Sequence, residues 1–235
     1  MLGYIKKYSA DFISLLYPHV CLSCSAALLG SEEVICFRCE NDLPKTNHYN
    51  TPDNSLMNRF AGRVAIAGAA ALYSFNKGSG VQTLLHQLKY NNRQDVGEFI
   101  GSRFGHQLKT ESSIIKNIDL VVPVPLHWKK LRKRGYNQCD SLAKGIAEAL
   151  DVPFSSTTLE RRHENISQTK KNRFERWENV SEIFEVVEPL ALEGKHILLV
   201  DDVVTTGATA EACLQTILKI NNTRASFAAI AAAVR

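Results

Sequence analysis

Apolar residues along this chain of 235 residues follow two rhythms, and their order predicts an α/β fold. Arg63–Phe75, Asp119–Val124, Ile197–Val200 and Ser226–Val234 are nearly continuous in apolar residues over the length of a strand. The first reads as a pair of strands bent at Gly68, and Val152–Phe154 reads as a further short strand. Gly80–Tyr90, Val96–Lys109, Gln138–Leu150 and Thr209–Ile220 instead carry apolar residues at helical spacing, such as Leu84, Leu85 and Leu88. Unbroken apolar strands alternating with helices predict a mainly parallel sheet covered by helices on both faces.

The first 62 residues break this alternation. Ile5, Tyr8, Phe12, Leu15 and Leu16 fit one face of a helix that docks on something. Asp11 interrupts the apolar patch and no small-residue cleavage site follows, so the segment reads as part of a cytoplasmic protein rather than a leader. No apolar run approaches the roughly 18–20 residues that span a bilayer. The polar stretch Lys45–Asn58 reads as a linker. The expected organisation is a helix and cysteine module over 1–45, a linker over 46–62 and the α/β domain over 63–235.

Cysteine spacing adds a metal. Cys21 and Cys24 form one CxxC, and Cys36 and Cys39 form a second. In a chain without a secretion signal, paired CxxC turns point to metal rather than disulfides. Four thiolates suit tetrahedral structural Zn²⁺ and leave no open position for catalysis; rubredoxin-like iron and a redox pair are the alternatives. Cys139 and Cys213 stand alone in predicted helices and read as small core residues.

Net charge is only +4, but its distribution is uneven. Between His127 and Arg176 there are twelve Lys/Arg against six Asp/Glu. Lys129, Lys130, Arg132, Lys133 and Arg134 supply five cations in six residues of what reads as a proline-led basic loop, with Trp128 and Tyr136 interleaved. That combination fits either a solvated basic surface or a platform for single-stranded nucleic acid.

The stretch Ile197–Thr209, ILLVDDVVTTGAT, carries the most specific chemistry. Ligands of a parallel sheet gather outside the carboxyl ends of its strands, where Asp201 and Asp202 are placed. The loop that follows enters a helix, whose first turn offers free N–H groups to an anion. Gly207 permits close backbone approach, and Thr205, Thr206 and Thr209 add hydroxyls. Two carboxylates before an anion cradle make sense if the ligand has two ends, a phosphate and a sugar diol. The loop lacks the GxxxxGK[ST] pattern of a P-loop.

This stretch resembles the phosphoribosyl-pyrophosphate (PRPP) signature of type I phosphoribosyltransferases. The resemblance implies that Asp201 and Asp202 meet the ribose hydroxyls, and that Val203, Val204, Thr205, Thr206, Gly207, Ala208 and Thr209 hold the 5′-phosphate. Two further stretches narrow it. VPVPLHWKKLRKRGYNQC (Val122–Cys139) and RRHENISQTKKNRFERWENVSEIF (Arg161–Phe184) are similar to the ComF family, as are Leu-Tyr-Pro before the first CxxC and Lys89-Tyr90…Asp95…Gly97. The implied fold is a type I phosphoribosyltransferase-like parallel sheet plus a small N-terminal zinc module. Pro125, Leu126 and Arg134, with Gln168 and Arg173 from a hood over 161–176, are the implied pyrophosphate contacts. The expected activity is transfer of ribosyl phosphate from PRPP with Mg²⁺ to an unknown acceptor, catalysed with the help of Asp201 and Asp202. The family also implies a link to competence and DNA uptake, with competence or helicase proteins as partners. The alternative is a catalytically silent PRPP sensor that binds single-stranded DNA through Lys129, Lys130, Arg132, Lys133 and Tyr136.

Overall fold

The structure, a computed structural model, describes residues 19–162 and 183–234. The predicted N-terminal helix and the positions Gln168 and Arg173 lie outside them. Four strands, β1 (Ala69–Phe75), β2 (Leu120–Pro123), β5 (His196–Val204) and β6 (Arg224–Ala233), form one parallel sheet in the order β1-β6-β5-β2. Phe154 adds a parallel bridge to Val121 at the β2 edge, where the short strand was expected. The small strands β3 (Leu159–Arg161) and β4 (Phe184–Val186) pair antiparallel apart from it.

Each central strand is buried on both faces, which is why its sequence is continuously apolar. Leu198 and Val200 of β5 belong to one core cluster with Leu84, Ile100 and Ile146; Ile197 and Leu199 belong to the other with Cys213, Leu214 and Ile217. The first cluster is covered by α3 (Gly80–Tyr90), α4 (Gln94–Glu111) and α6 (Gln138–Leu150), and the second by α7 (Ala208–Ile217). Two shorter helices, α1 (Phe37–Asn41) and α2 (Met57–Phe60), precede the sheet.

Two expectations need correction. Arg63–Phe75 is not a strand pair: only Ala69–Phe75 is a strand, and it pairs with β6 rather than with its own N-terminal half. Gly68 sits where an added Cβ would lie 2.6 Å from the Ile114 carbonyl oxygen, so close backbone contact, not a hairpin, requires the glycine. The basic run is not a loop either. It forms the helix α5 (Trp128–Arg134), ended by Gly135 at φ +80°, whose N–H donates to the Leu131 carbonyl. Because α5 buries none of its residues, no apolar rhythm announced it. Arg161, the first residue of the implied hood, lies in β3. The stretch 46–62 packs on the domain, with Leu56 and Phe60 both in the second core cluster.

Helices α4 and α6 approach closely enough to touch backbone to backbone. An added Cβ at Gly101 would lie 2.3 Å from the Leu142 carbonyl oxygen, and one at Gly145 would lie 2.4 Å from the Glu98 carbonyl oxygen. We expect Gly101→Ala to destabilise the fold by about 1–3 kcal/mol, through overpacking that neither helix can relieve locally. A thermal or urea melt indistinguishable from wild type would contradict it.

Candidate active site

Strand β5 outruns its neighbour. β2 is last paired through Pro123 and Val200, so Asp201 to Val204 project past its end and stay paired only with β6. The gap holds a cavity of about 210 Å³ lined by Asp201, Asp202, Val203 and Thr209 on one side and by Pro125, Leu126, Lys130 and Arg134 on another. Residues far apart in sequence thus meet at the carboxyl end of the sheet, as parallel α/β folds arrange their ligand sites.

Asp202 is buried and fully engaged. Its Oδ2 accepts from Lys89 Nζ at 2.8 Å and from Gln138 Nε2 at 2.9 Å, while Oδ1 accepts from the Val203 N–H at 2.6 Å. Asp201 is half-buried, and its Oδ1 accepts from the Asp202 N–H at 2.8 Å and faces Cys139 Sγ at 3.5 Å. Burial, then the neighbouring Asp202 charge, pushes the Asp201 carboxyl up to about 7. Burial and the same two carboxylates push the Cys139 thiol upward too, so it stays protonated as a weak donor to Asp201.

Between its ordinary value and about 7, folded Asp201 therefore holds a proton that the unfolded chain releases. Stability falls as pH rises through that window and stays lowered above it. Asp201→Asn should stabilise the ligand-free protein at pH 8 by on the order of 1–3 kcal/mol and leave it nearly unchanged at pH 4. Equal gains at both pH values in thermal melts would refute this.

The loop after β5 turns into α7 at Gly207. Gly207 sits at φ +85°, the left-handed region that a side chain resists, and its carbonyl accepts the Glu211 N–H at 2.8 Å as α7 begins. Thr205, Thr206, Ala208 and Thr209 are exposed. The turn is held from outside by Arg59, whose guanidinium donates to the carbonyls of Val204, Thr205 and Ala233.

Several of these residues escaped sequence reasoning as site residues. Lys89 lies in the last turn of α3 and Gln138 opens α6, and only the family resemblance touches them. Arg161 reaches the cavity because β3 pairs with β4, a contact between segments more than twenty residues apart. Arg59 lies in the stretch read as linker, where no pattern marked it. Of the residues proposed for nucleic acid, Lys130 lines the aspartate cavity, Lys133 and Tyr136 line a neighbouring one, and Lys129 and Arg132 are exposed on α5 outside both.

The four cysteines of the CxxC pair converge. Their Sγ atoms lie within 4.8 Å of one another, with Cys24 and Cys36 3.7 Å apart. Tetrahedral zinc with Zn–S of about 2.3 Å requires sulfurs about 3.8 Å apart, so the donor set and its size fit the ion. The Cys36 N–H donates to Cys21 Sγ at 3.3 Å. Burial opposes ionisation of Cys21, but amide donors from Cys36, Cys24 and Ser23 bring it down to about 6. Burial and the neighbouring thiols push Cys39 up to about 12. Four thiols this close cannot all ionise alone, and a divalent cation resolves that conflict.

Residues 137–234, which include α6, β5, the loop and β6, match the model of the phosphoribosyl transferase domain family. This segment, under half of the chain, is similar to phosphoribosyl transferase domains. The chain's homologues are named as competence and DNA utilization proteins. The DNA utilization protein YhgH of Salmonella typhimurium is 30% identical over 58% of this chain and 60% of its own length, so less than two thirds of that relative is covered. The competence protein ComFC of Bacillus subtilis is 29% identical over 81% of this chain and 74% of its own. Among solved structures, a glutamine PRPP amidotransferase from B. subtilis aligns with TM-score 0.43 at 20% identity, over 62% of this chain and 30% of that one. These homologues and the four-cysteine cluster agree with the ComF resemblance read from the sequence. No helix among the described residues is long and apolar enough to cross a membrane.

Proposed function

We propose that the cavity beside Asp201 and Asp202 binds PRPP and that the domain transfers its ribosyl phosphate to an acceptor, releasing pyrophosphate. The observation that carries this reading is the union of opposite chemistries in one space. Two carboxylates share the cavity with Thr209, at the entrance of α7, and with a pair of cations, Lys130 and Arg134. A ligand that carries a phosphate, a diol and a diphosphate matches that set of partners.

In this reading Val203 to Thr209 receive the 5′-phosphate, with backbone N–H groups at the start of α7 as donors. Asp201 and Asp202 accept from the ribose hydroxyls. Lys130 and Arg134, with Pro125 and Leu126 shaping the turn, face the pyrophosphate, as do Gln168 and Arg173 by family resemblance. Lys89 and Gln138 hold the Asp202 side chain fixed, so it is preorganised for the positive charge that develops at C1′. The C1′–oxygen bond to pyrophosphate breaks, the acceptor's lone pair forms the new bond, and the acceptor's proton departs. Magnesium bound with the diphosphate would supply charge neutralisation of the leaving group. Hard cations take oxygen ligands, and Asp201 is the carboxylate with capacity to spare, since Asp202 already accepts three hydrogen bonds.

Calorimetry with PRPP and Mg²⁺ tests the reading. Wild type should bind, and Asp201→Asn combined with Asp202→Asn should abolish both binding and pyrophosphate release while the melt still shows a folded protein. Wild type that gives no heat would sink it. A second reading, retention of single-stranded DNA, is favoured by one observation: α5 exposes Trp128 and Leu131 beside its cations and buries nothing. Its test is charge reversal at Lys129 and Arg132, which should remove a salt-sensitive interaction with an oligonucleotide.

A further inference from the structure

Beside the aspartate cavity lies another of about 380 Å³, and the two share a wall. Lys89, Lys130 and Arg134 line both, whereas Lys133, Tyr90 and Tyr136 line the outer one only. The outer lining thus holds four cations and no carboxylate. Lys89 is paired inward with Asp202, but among the described residues no carboxylate forms a salt bridge with Lys130, Lys133 or Arg134. The three cations without a carboxylate partner repel one another across the hollow, and an anion there reverses the sign of that energy.

The backbone is built to gather them. Gly135, in the left-handed region, stops α5 and turns the chain back, and the Tyr136 hydroxyl donates to the Leu88 carbonyl at the end of α3. That bond holds the cations of α5 against the C-terminal turn of α3. Tyr90 is 61% exposed on the same rim, with the Arg134 guanidinium 5.4 Å from its ring centroid. An exposed aromatic among cations offers a flat surface next to phosphate donors.

We propose that this outer cavity is a separate binding site for a nucleoside monophosphate, with Lys130, Lys133 and Arg134 on the phosphate and Tyr90 and Tyr136 against the nucleoside. Its volume lies in the range of about 300–1,000 Å³ that small-molecule sites occupy. Occupancy reaches the inner cavity through two bonds: Arg134 Nη1 donates to Gln138 Oε1 at 2.7 Å, and Gln138 Nε2 donates to Asp202. An anion that draws on Arg134 and Lys89 therefore alters the partners of Asp202, and binding in the two cavities is reciprocally coupled. The site does not depend on PRPP being the inner ligand.

The test is calorimetry of the full-length, metal-loaded protein with AMP and, separately, inorganic phosphate. AMP should bind, Lys133→Glu should weaken it by about tenfold or more, and Asp201→Asn should leave it in place. Lys133 and Tyr90 are exposed, and a thermal melt of each variant confirms folding. Inorganic phosphate should bind more weakly than AMP, and Tyr90→Leu should narrow that difference. No AMP binding, AMP binding indifferent to Lys133→Glu, or AMP binding lost in Asp201→Asn would each overturn the site. Equal binding of AMP and phosphate to wild type would overturn the nucleoside assignment. Failure of PRPP to bind is a separate result, read from a different titration.

Discussion

Removal of metal from the four-cysteine cluster should lower the unfolding midpoint by roughly 10 °C or more, the largest effect we expect. Binding of structural zinc supplies folding free energy of several kcal/mol, and each kcal/mol moves the midpoint of a domain this size by about 2–4 °C. The cluster is no detached ornament. Cys21, Val34, Ile35 and Leu43 are buried in the same core cluster as Leu72, Tyr73, Val81 and Leu84. Gly80, which opens α3, lies against it: an added Cβ there would be 3.0 Å from Leu43 and 3.1 Å from Ser23. Arg103 of α4 pairs with Glu40 of α1 at 3.4 Å. Lys89 sits at the other end of α3, so loss of metal should also weaken PRPP binding as α3 loosens. The checks are metal analysis, a melt with and without a thiol-selective chelator, and the same melt on Cys21→Ser. A chelated protein that melts like the loaded one, with its metal gone, would refute the role.

The second large effect is expected at Arg59. Its guanidinium bridges the carbonyls of Val204 and Thr205 at the end of β5 and of Ala233 at the end of β6. Holding these carbonyls fixes the backbone that leads into the loop, and with it the N–H groups proposed to meet the ligand. Arg59→Ala should weaken PRPP binding by about tenfold or more, each tenfold being about 1.4 kcal/mol. Arg59→Lys should recover little, because one ammonium lacks the planar fork that reaches both strands. The discriminating measurement is affinity against stability. A drop in affinity with a melt shifted by only a few degrees supports a positioning role, whereas a collapse of the melt alone would show a purely structural one.

The apolar runs were enough to specify the parallel sheet because both faces of each strand are buried, which leaves no solvent-facing residue to interrupt them. The helices over 80–90 and 138–150 were legible for the complementary reason, a single apolar stripe at helical period. α5 was not legible. A helix that buries nothing has no stripe, and its lysines and arginines read equally well as a loop. The hairpin of β3 and β4 was hidden because three-residue strands carry no period and their partner lies far along the chain.

For the site the division runs the same way. Sequence by itself singled out Asp201, Asp202 and Thr209, which line one cavity, and the four cysteines, which cluster, since these are contiguous or closely spaced groups whose pattern is local. Tertiary structure alone decided that Lys89 and Gln138 converge on Asp202, that Arg161 enters the cavity and that Arg59 clamps the loop. Each of these is a long-range meeting, set by where β5 outruns β2, by the pairing of β3 with β4 and by the packing of Leu56 and Phe60 into the second core, and a linear pattern holds no record of those distances.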